Sequence, residues 1–242
     1  MANIGLIIAG GSGARMGQDI PKQFLHVYDK PVLIYTLEGF QSHPMVDAVE
    51  VVCLDGWQEV LWAYARQFGI QKLQWVVPGG ATGQESIRNG VYALEEKAAE
   101  DDVVIIHDGI RPLVDDTVLT DVILKCRQYG NAVTSLPYNE QIFLADEADG
   151  ERSTVRYIPR ERLRRVSTPQ AYQYGKLLWA YREAFARGVG IHGSAYTNTM
   201  MVDLGERLYF AAGSEKNLKL TTKDDLDLFK AYLKSDKAQW LK

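Results

Sequence analysis

Residues 4–9 form an uncharged aliphatic run that ends directly on Gly10-Gly11-Ser12-Gly13. An apolar run without alternation reads as a strand covered on both faces, the habit of parallel sheets flanked by helices. Similar runs at 48–54, 74–77 and 103–107 are expected to be buried in the same way. Between them the apolar positions change to helical spacing at 32–41, 57–67 and 86–98. Asp116–Tyr129 is a further amphipathic helix, with Val118, Leu119, Val122, Ile123 and Cys126 on one face, and Asn131–Pro137 follows as a strand. Strand–helix alternation of this kind predicts an α/β domain. Its sheet is mostly parallel, with helices on both faces.

The segment at about 138–165 breaks the pattern. It is polar, turns at Asp149-Gly150, and then carries Arg152, Arg156, Arg160, Arg162, Arg164 and Arg165. It reads as a β-hairpin arm projecting from the sheet, with Asp149-Gly150 at its tip. The chain returns through a helix at 176–187 and a strand at 208–211. It closes on a helix at Lys223–Lys234, begun by Thr221-Thr222 with Asp224 and Asp225 in the first turn. With no repeat, linker or low-complexity tract, residues 1–242 are expected to form one Rossmann-like domain with an arm.

Composition narrows the function. A net charge of −4 argues against general nucleic-acid binding. No apolar run approaches the ~18 residues of a membrane span. The opening residues read as a first strand rather than a signal peptide. Cys53 and Cys126 fall in apolar patterns and are expected as buried free thiols. A cytoplasmic enzyme is the expectation.

The chemistry begins where the first strand ends. Glycines let backbone N–H groups approach phosphate oxygens. A dinucleotide loop would need a third glycine where Met16 stands, and Asp55 lies well beyond the usual ~20-residue offset of a ribose-binding carboxylate. A P-loop would need a lysine directly after Gly17. Instead Arg15 closes the loop and Lys22-Gln23 follows Pro21. Two cations beside a phosphate cradle suit a triphosphate.

Ala9-Gly10-Gly11-x-Gly13-x-Arg15-Met16-Gly17, then Pro21-Lys22-Gln23-Phe24, resembles the opening of the methylerythritol-phosphate and ribitol-phosphate cytidylyltransferase family. The likeness recurs at Gly79-Gly80 with Ser86-Ile87-Arg88-Asn89-Gly90, at His107-Asp108-Gly109-Ile110-Arg111-Pro112, at Thr168-Pro169-Gln170 and at Asn217-Leu218-Lys219-Leu220-Thr221. The resemblance implies transfer of a cytidylyl group from CTP to a polyol phosphate, with magnesium accompanying the nucleotide. Arg15, Lys22 and Lys219 would be its catalytic cations. Ala9, Gly10, Gly11, Gly13, Gly80, Ser86 and Asp108 would contact the nucleotide. Arg111, Glu140, Arg160 and Thr168 would meet the acceptor. Asp108 is the one side chain expected near the metal, and no metal-ligand set is otherwise legible. His107 has no second histidine at ligand spacing and reads as structural.

Nucleotidyl transfer builds negative charge on the α-phosphoryl group, so fixed cations and positioning suffice. The attacking phosphate is already ionised, which removes the need for a general base. The acceptor side departs from the methylerythritol pattern. Glu140-Gln141 stand where an Asp-Thr pair is expected, Thr197-Asn198 where Thr-Asp is expected, and Lys216 where an Asp is common. These changes point to a pentitol phosphate such as ribitol 5-phosphate, with a product destined for a cell-wall or capsule polymer. A methylerythritol-phosphate enzyme is the close alternative, and a non-catalytic nucleotide-binding relative a remoter one. By the same resemblance the arm would complete the acceptor site of a partner subunit in a homodimer.

Overall fold

The computed structural model describes residues 1–11, 20–148, 151–193 and 196–235. Its strands are β1 (Asn3–Ala9), β2 (His26–Val27), β3 (Lys30–Pro31), β4 (Ala48–Cys53), β5 (Leu73–Pro78), β6 (Val103–Asp108), β7 (Asn131–Pro137), β8 (Ile142–Ala148), β9 (Glu151–Ile158), β10 (Arg164–Gln173) and β11 (Phe210–Ala212). Its helices are α1 (Val32–Ser42), α2 (Gln58–Gln67), α3 (Gly83–Ala93), α4 (Asp116–Tyr129), α5 (Tyr174–Arg187), α6 (Thr197–Asp203) and α7 (Lys223–Lys234). Seven strands form the main sheet in the order β11-β7-β10-β6-β1-β4-β5. Among them β10 alone runs antiparallel to its neighbours.

The alternation of side chains along β1 explains the two layers. Ile7 and Ala9 join Leu33, Leu37 and Phe40 of α1, Leu61 of α2, and Leu119, Val122 and Ile123 of α4. Ile4 and Leu6 point the other way, into Ile87 and Val91 of α3, Leu177 and Tyr181 of α5, and Met200 of α6. Each fully buried aliphatic side chain contributes about 1.5–3 kcal/mol, so the central strands are held from both sides. Cys53 and Cys126 are buried and unbridged, and burial pushes both thiols up to about 12.

One residue interrupts the second layer. Glu50 of β4 is wholly buried, and a Cβ built on Gly90 of α3 would stand 3.2 Å from its Oε1. Neither carboxylate oxygen has a hydrogen-bond partner among the described residues. Burial pushes its pKa from 4.5 to about 7, against the opposing pull of Lys97.

Three expectations need correction. The run at 74–77 is not buried on both faces: β5 is the edge strand, and most of its side chains are partly exposed. The helix expected at 86–98 begins earlier and ends at Ala93. Its start is set by a capping box in which Thr82 Oγ1 accepts from Glu85 N–H (3.1 Å) and Glu85 Oε2 accepts from Thr82 N–H (3.1 Å). The segment from 164 onwards belongs to the main sheet rather than to the arm. Arg164–Gln173 is polar and contains Pro169, both marks against a central strand. It is accommodated because the register with β7 shifts between Ser167 and Gln170, so the proline sits where the ladder is interrupted. Helix α6 was also not anticipated. The arm itself is the two-stranded pair β8–β9, outside the main sheet, and its expected tip lies outside the described residues.

Candidate active site

Parallel strands β1 and β6 place Ile8 opposite Asp108 at their carboxyl ends. From β1 the sheet extends through β4 on one side and β6 on the other, so connections diverge here. Open α/β sheets offer their ligand crevice at such a switch point.

On one side of the crevice β1 runs into Ala9, Gly10 and Gly11. Gln23, buried in the short 3-10 turn Lys22–Phe24, reaches back to them. Its amide nitrogen donates to the carbonyls of Ala9 (2.7 Å) and Gly11 (2.9 Å), fixing the backbone on both sides of Gly10. Gly10 in turn lies against Gly79, and a Cβ on either would stand 3.3 Å from the other's Cα. Gly80 N–H donates to Ser86 Oγ (3.0 Å), whose hydroxyl donates to the Thr82 carbonyl (2.9 Å). Ala9, Gly10, Gly11, Gly80 and Ser86 therefore come together on one side of the crevice. Lys22 opens the turn that carries Gln23. Gly13 and Arg15 lie outside the described residues.

On the other side Asp108 is the hub. Arg111 Nε donates to it at 2.8 Å, and Lys219 Nζ lies 3.2 Å from its carboxylate. Thr168 Oγ1 accepts from Asp108 N–H (3.1 Å) and lies 3.3 Å from its Oδ2. Burial alone would raise the Asp108 pKa. The charges of Lys219 and then Arg111, with the Arg111 hydrogen bond, outweigh it and hold the carboxyl below its ordinary value. Asp108 is thus an anion that fixes two cations at the crevice. Arg111 Nη1 also donates to the Asn217 carbonyl (2.7 Å), and Asn217 Nδ2 donates to the Thr168 carbonyl (2.6 Å). This brace ties β6, β10 and the 217–219 segment together.

His107 is wholly buried, with Nε2 3.1 Å from the Arg111 carbonyl. Burial lowers its pKa to about 4, so the ring is neutral near pH 7 and donates Nε2–H to that carbonyl. Its bond to the Arg111 carbonyl shapes the turn between β6 and Arg111.

The Asp108 side opens on a cleft of about 610 Å³, whose described lining includes Asp108, Arg111, Thr168, Lys219, Gln84 and Asn198 but not Ala9, Gly10, Gly11, Lys22, Gly80 or Ser86. Glu140 and Arg160 do not line it. Both are exposed at the base of the arm, where the Arg160 guanidinium donates to the Asn139 carbonyl. Sequence reasoning gave no role to Gln23 or Asn217, although both sit inside quoted motifs. The available signal was their position: an amide next to a phosphate-facing loop or lysine can brace it. His192 and Tyr196, which also line the cleft, carried no signal. Among the described residues no three His, Cys, Asp or Glu side chains converge as a metal-ligand set.

The chain is similar to known cytidylyltransferases along nearly its whole length. The chain is 61% identical to the ribitol-5-phosphate cytidylyltransferase of Lacticaseibacillus paracasei, over 95% of this chain and 97% of that one. It is 37% identical to the enzyme of the same name from Vibrio parahaemolyticus, over 96% and 95%. It is 34% identical to the 2-C-methyl-D-erythritol 4-phosphate cytidylyltransferase of Syntrophotalea carbinolica, over 94% of each. Among solved structures, the 2-C-methyl-D-erythritol 4-phosphate cytidylyltransferase of Thermus thermophilus superposes with a TM-score of 0.74 at 26% identity, covering 97% of this chain and 100% of that one. Residues 4–235 match the family described as 2-C-methyl-D-erythritol 4-phosphate cytidylyltransferase (IspD), and the chain belongs to that family of cytidylyltransferases.

Proposed function

We propose that the chain joins CTP to ribitol 5-phosphate, giving CDP-ribitol and pyrophosphate. The observation that carries this reading is the 61% identity, along nearly the whole chain, to a protein named for that reaction. In the step itself an acceptor phosphate oxygen attacks the α-phosphorus in line. A new P–O bond forms while the bond to the α–β bridging oxygen breaks, and that oxygen leaves on pyrophosphate. Lys22 and Lys219 supply fixed positive charge to the α-phosphoryl oxygens. Arg15 is assigned to the leaving pyrophosphate. Arg111 and Thr168, beside Asp108, are assigned to the acceptor.

Magnesium would arrive with the triphosphate and offset its charge. The cleft fits a metal held mainly by phosphate oxygens and water, because Asp108 is the one carboxylate among its described lining residues and already accepts from Arg111 and Lys219. A cytoplasmic location and a product feeding a cell-wall or capsule polymer complete the reading. Among the described residues no helix is long and apolar enough to cross a membrane.

The arm supports a homodimer. A two-stranded hairpin is marginal alone, yet this one exposes Phe143, Leu144, Val155 (94%) and Tyr157. Glu140 and Arg160 would then serve the partner's cleft. Val155→Lys is expected to shift the protein from dimer towards monomer in analytical ultracentrifugation and to raise the acceptor KM. An unchanged dimer would remove the arm from the interface.

The family name and the 34% identical relative favour methylerythritol 4-phosphate as the second reading. Pyrophosphate release from CTP and magnesium, measured with ribitol 5-phosphate, methylerythritol 4-phosphate and glycerol 3-phosphate, separates them. Preference for ribitol 5-phosphate is expected. Preference for methylerythritol 4-phosphate would overturn the reading.

A further inference from the structure

One wall of the cleft is built from Ile191, His192, Gly193 and Tyr196, described residues between α5 and α6, followed by Thr197 and Asn198 of α6. A connection with glycine at 188, 190 and 193 needs something to hold it in one place. Here both ends are held by the same buried chain of hydrogen bonds. Gly190, at φ +63°, passes so close to α6 that a Cβ would stand 2.8 Å from Met200 Cα, and Gln84 Nε2 donates to its carbonyl at 2.8 Å. At the other end Thr197 Oγ1 lies 2.7 Å from the Tyr181 hydroxyl, which is 3.0 Å from Gln84 Oε1.

The direction of the chain is fixed. The amide oxygen of Gln84 can only accept, so the Tyr181 proton is committed to it. The Thr197 hydroxyl must then donate to Tyr181. Burial pushes the Tyr181 phenol well up, so it stays a neutral donor. Gln84, Tyr181 and Thr197 are all buried, and none of their side-chain N or O atoms is left without a partner among the described residues. A fully satisfied buried network of this kind favours a single arrangement.

We propose that Gln84 and Tyr181 are positioning residues that clip the connection at Gly190 and Thr197 and so set which acceptor the cleft admits. The inference rests on the polyol-phosphate reading above. Gln84 lies in the first turn of α3, the helix whose Ser86 holds Gly80 on the nucleotide side. The clip therefore refers the acceptor wall to the nucleotide pocket. In-line transfer depends on that relation, because small misplacements of one reactant lose large rate factors.

Tyr181→Phe keeps the ring and removes the hydroxyl, leaving Thr197 and Gln84 Oε1 without their partner. The KM for ribitol 5-phosphate is expected to rise about tenfold, with the KM for CTP within about twofold. The preference for ribitol 5-phosphate over glycerol 3-phosphate should shrink in parallel. Gln84→Met, which releases Gly190 by a different route, should give the same split, and it decides the matter if Tyr181→Phe fails to fold. Equal rises in both KM values, or an unchanged acceptor KM, would overturn the proposal. Hydrogen exchange of peptides covering Gly190 and Thr197 tests the clip without turnover. Faster exchange there in either variant, with β1 and β6 unchanged, is expected, and unchanged exchange sinks it. Failure of the wild type to use any polyol phosphate would instead overturn the functional reading.

Discussion

Lys219→Met is expected to lower kcat by about two to three orders of magnitude while CTP still binds. The substitution keeps a long apolar stem and removes the charge. Lys219 Nζ now rests 3.2 Å from the Asp108 carboxylate, with about a third of its side chain open to the cleft. The ammonium is therefore already oriented before substrate arrives. Charge that is fixed in advance needs no reorganisation as the α-phosphoryl oxygens become more negative, and such charge lowers the barrier rather than the ground state. The substitution does not touch the bond from Arg111 to Asp108, 2.8 Å here, so the crevice should not collapse. Steady-state rates and a CTP titration test this. A kcat within threefold of wild type, with weakened CTP binding, would make Lys219 a ground-state contact and remove it from catalysis.

The second large effect is on stability. Glu50→Gln is expected to stabilise the protein relative to wild type, increasingly so as pH rises. Burial raises the Glu50 pKa to about 7 in the folded protein from an ordinary 4.5. Between those values the unfolded chain has released its proton while the folded chain retains it. Wild-type stability from this group is therefore fully present below about pH 4.5 and is lost as pH rises through 7. Glutamine occupies the same space and does not ionise. The variant's advantage should grow by roughly 2.5 kcal/mol between pH 5 and pH 8. Urea melts at the two values check it, and parallel pH curves for the two proteins would mean that Glu50 ionises freely where it sits.

The same residue shows where sequence reading stops. In Val49-Glu50-Val51-Val52 nothing distinguishes a carboxylate that will be sealed under Gly90 from one at a strand edge, because the distinction lies in how α3 packs. By contrast β1, β4 and β6 were legible because burial on both faces leaves no room for polar alternation. Helix α4 was legible for its periodicity, and α7 for its Thr-Thr-Lys-Asp-Asp opening. Strand β10 was not, since its support comes from β6 and β7 rather than from its own composition. At the site, Asp108, Arg111, Thr168 and Lys219 came from three separate motifs and meet within hydrogen-bond reach. Gln23 and Asn217 escaped notice because an amide acts through the carbonyls it holds, and those partners become visible only once the chain is folded.

Strand β10 also dictates the order in which the sheet can be completed. β6 and β7 follow one another along the chain, yet in the sheet they are separated by a strand that begins only at Arg164. Until that strand arrives the middle of the sheet is an open slot with two unpaired edges. The arm is then the loop of a long hairpin, β7 to β10, whose closure fills the slot. Pairings so distant in sequence form late and slowly. Filling the slot also delivers Thr168 to Asp108, so this wall of the crevice is assembled in the same event that joins the two halves of the sheet, and the 217–219 segment completes it. A nascent chain stopped short of Gln173 would hold a glycine loop and a carboxylate but no finished site.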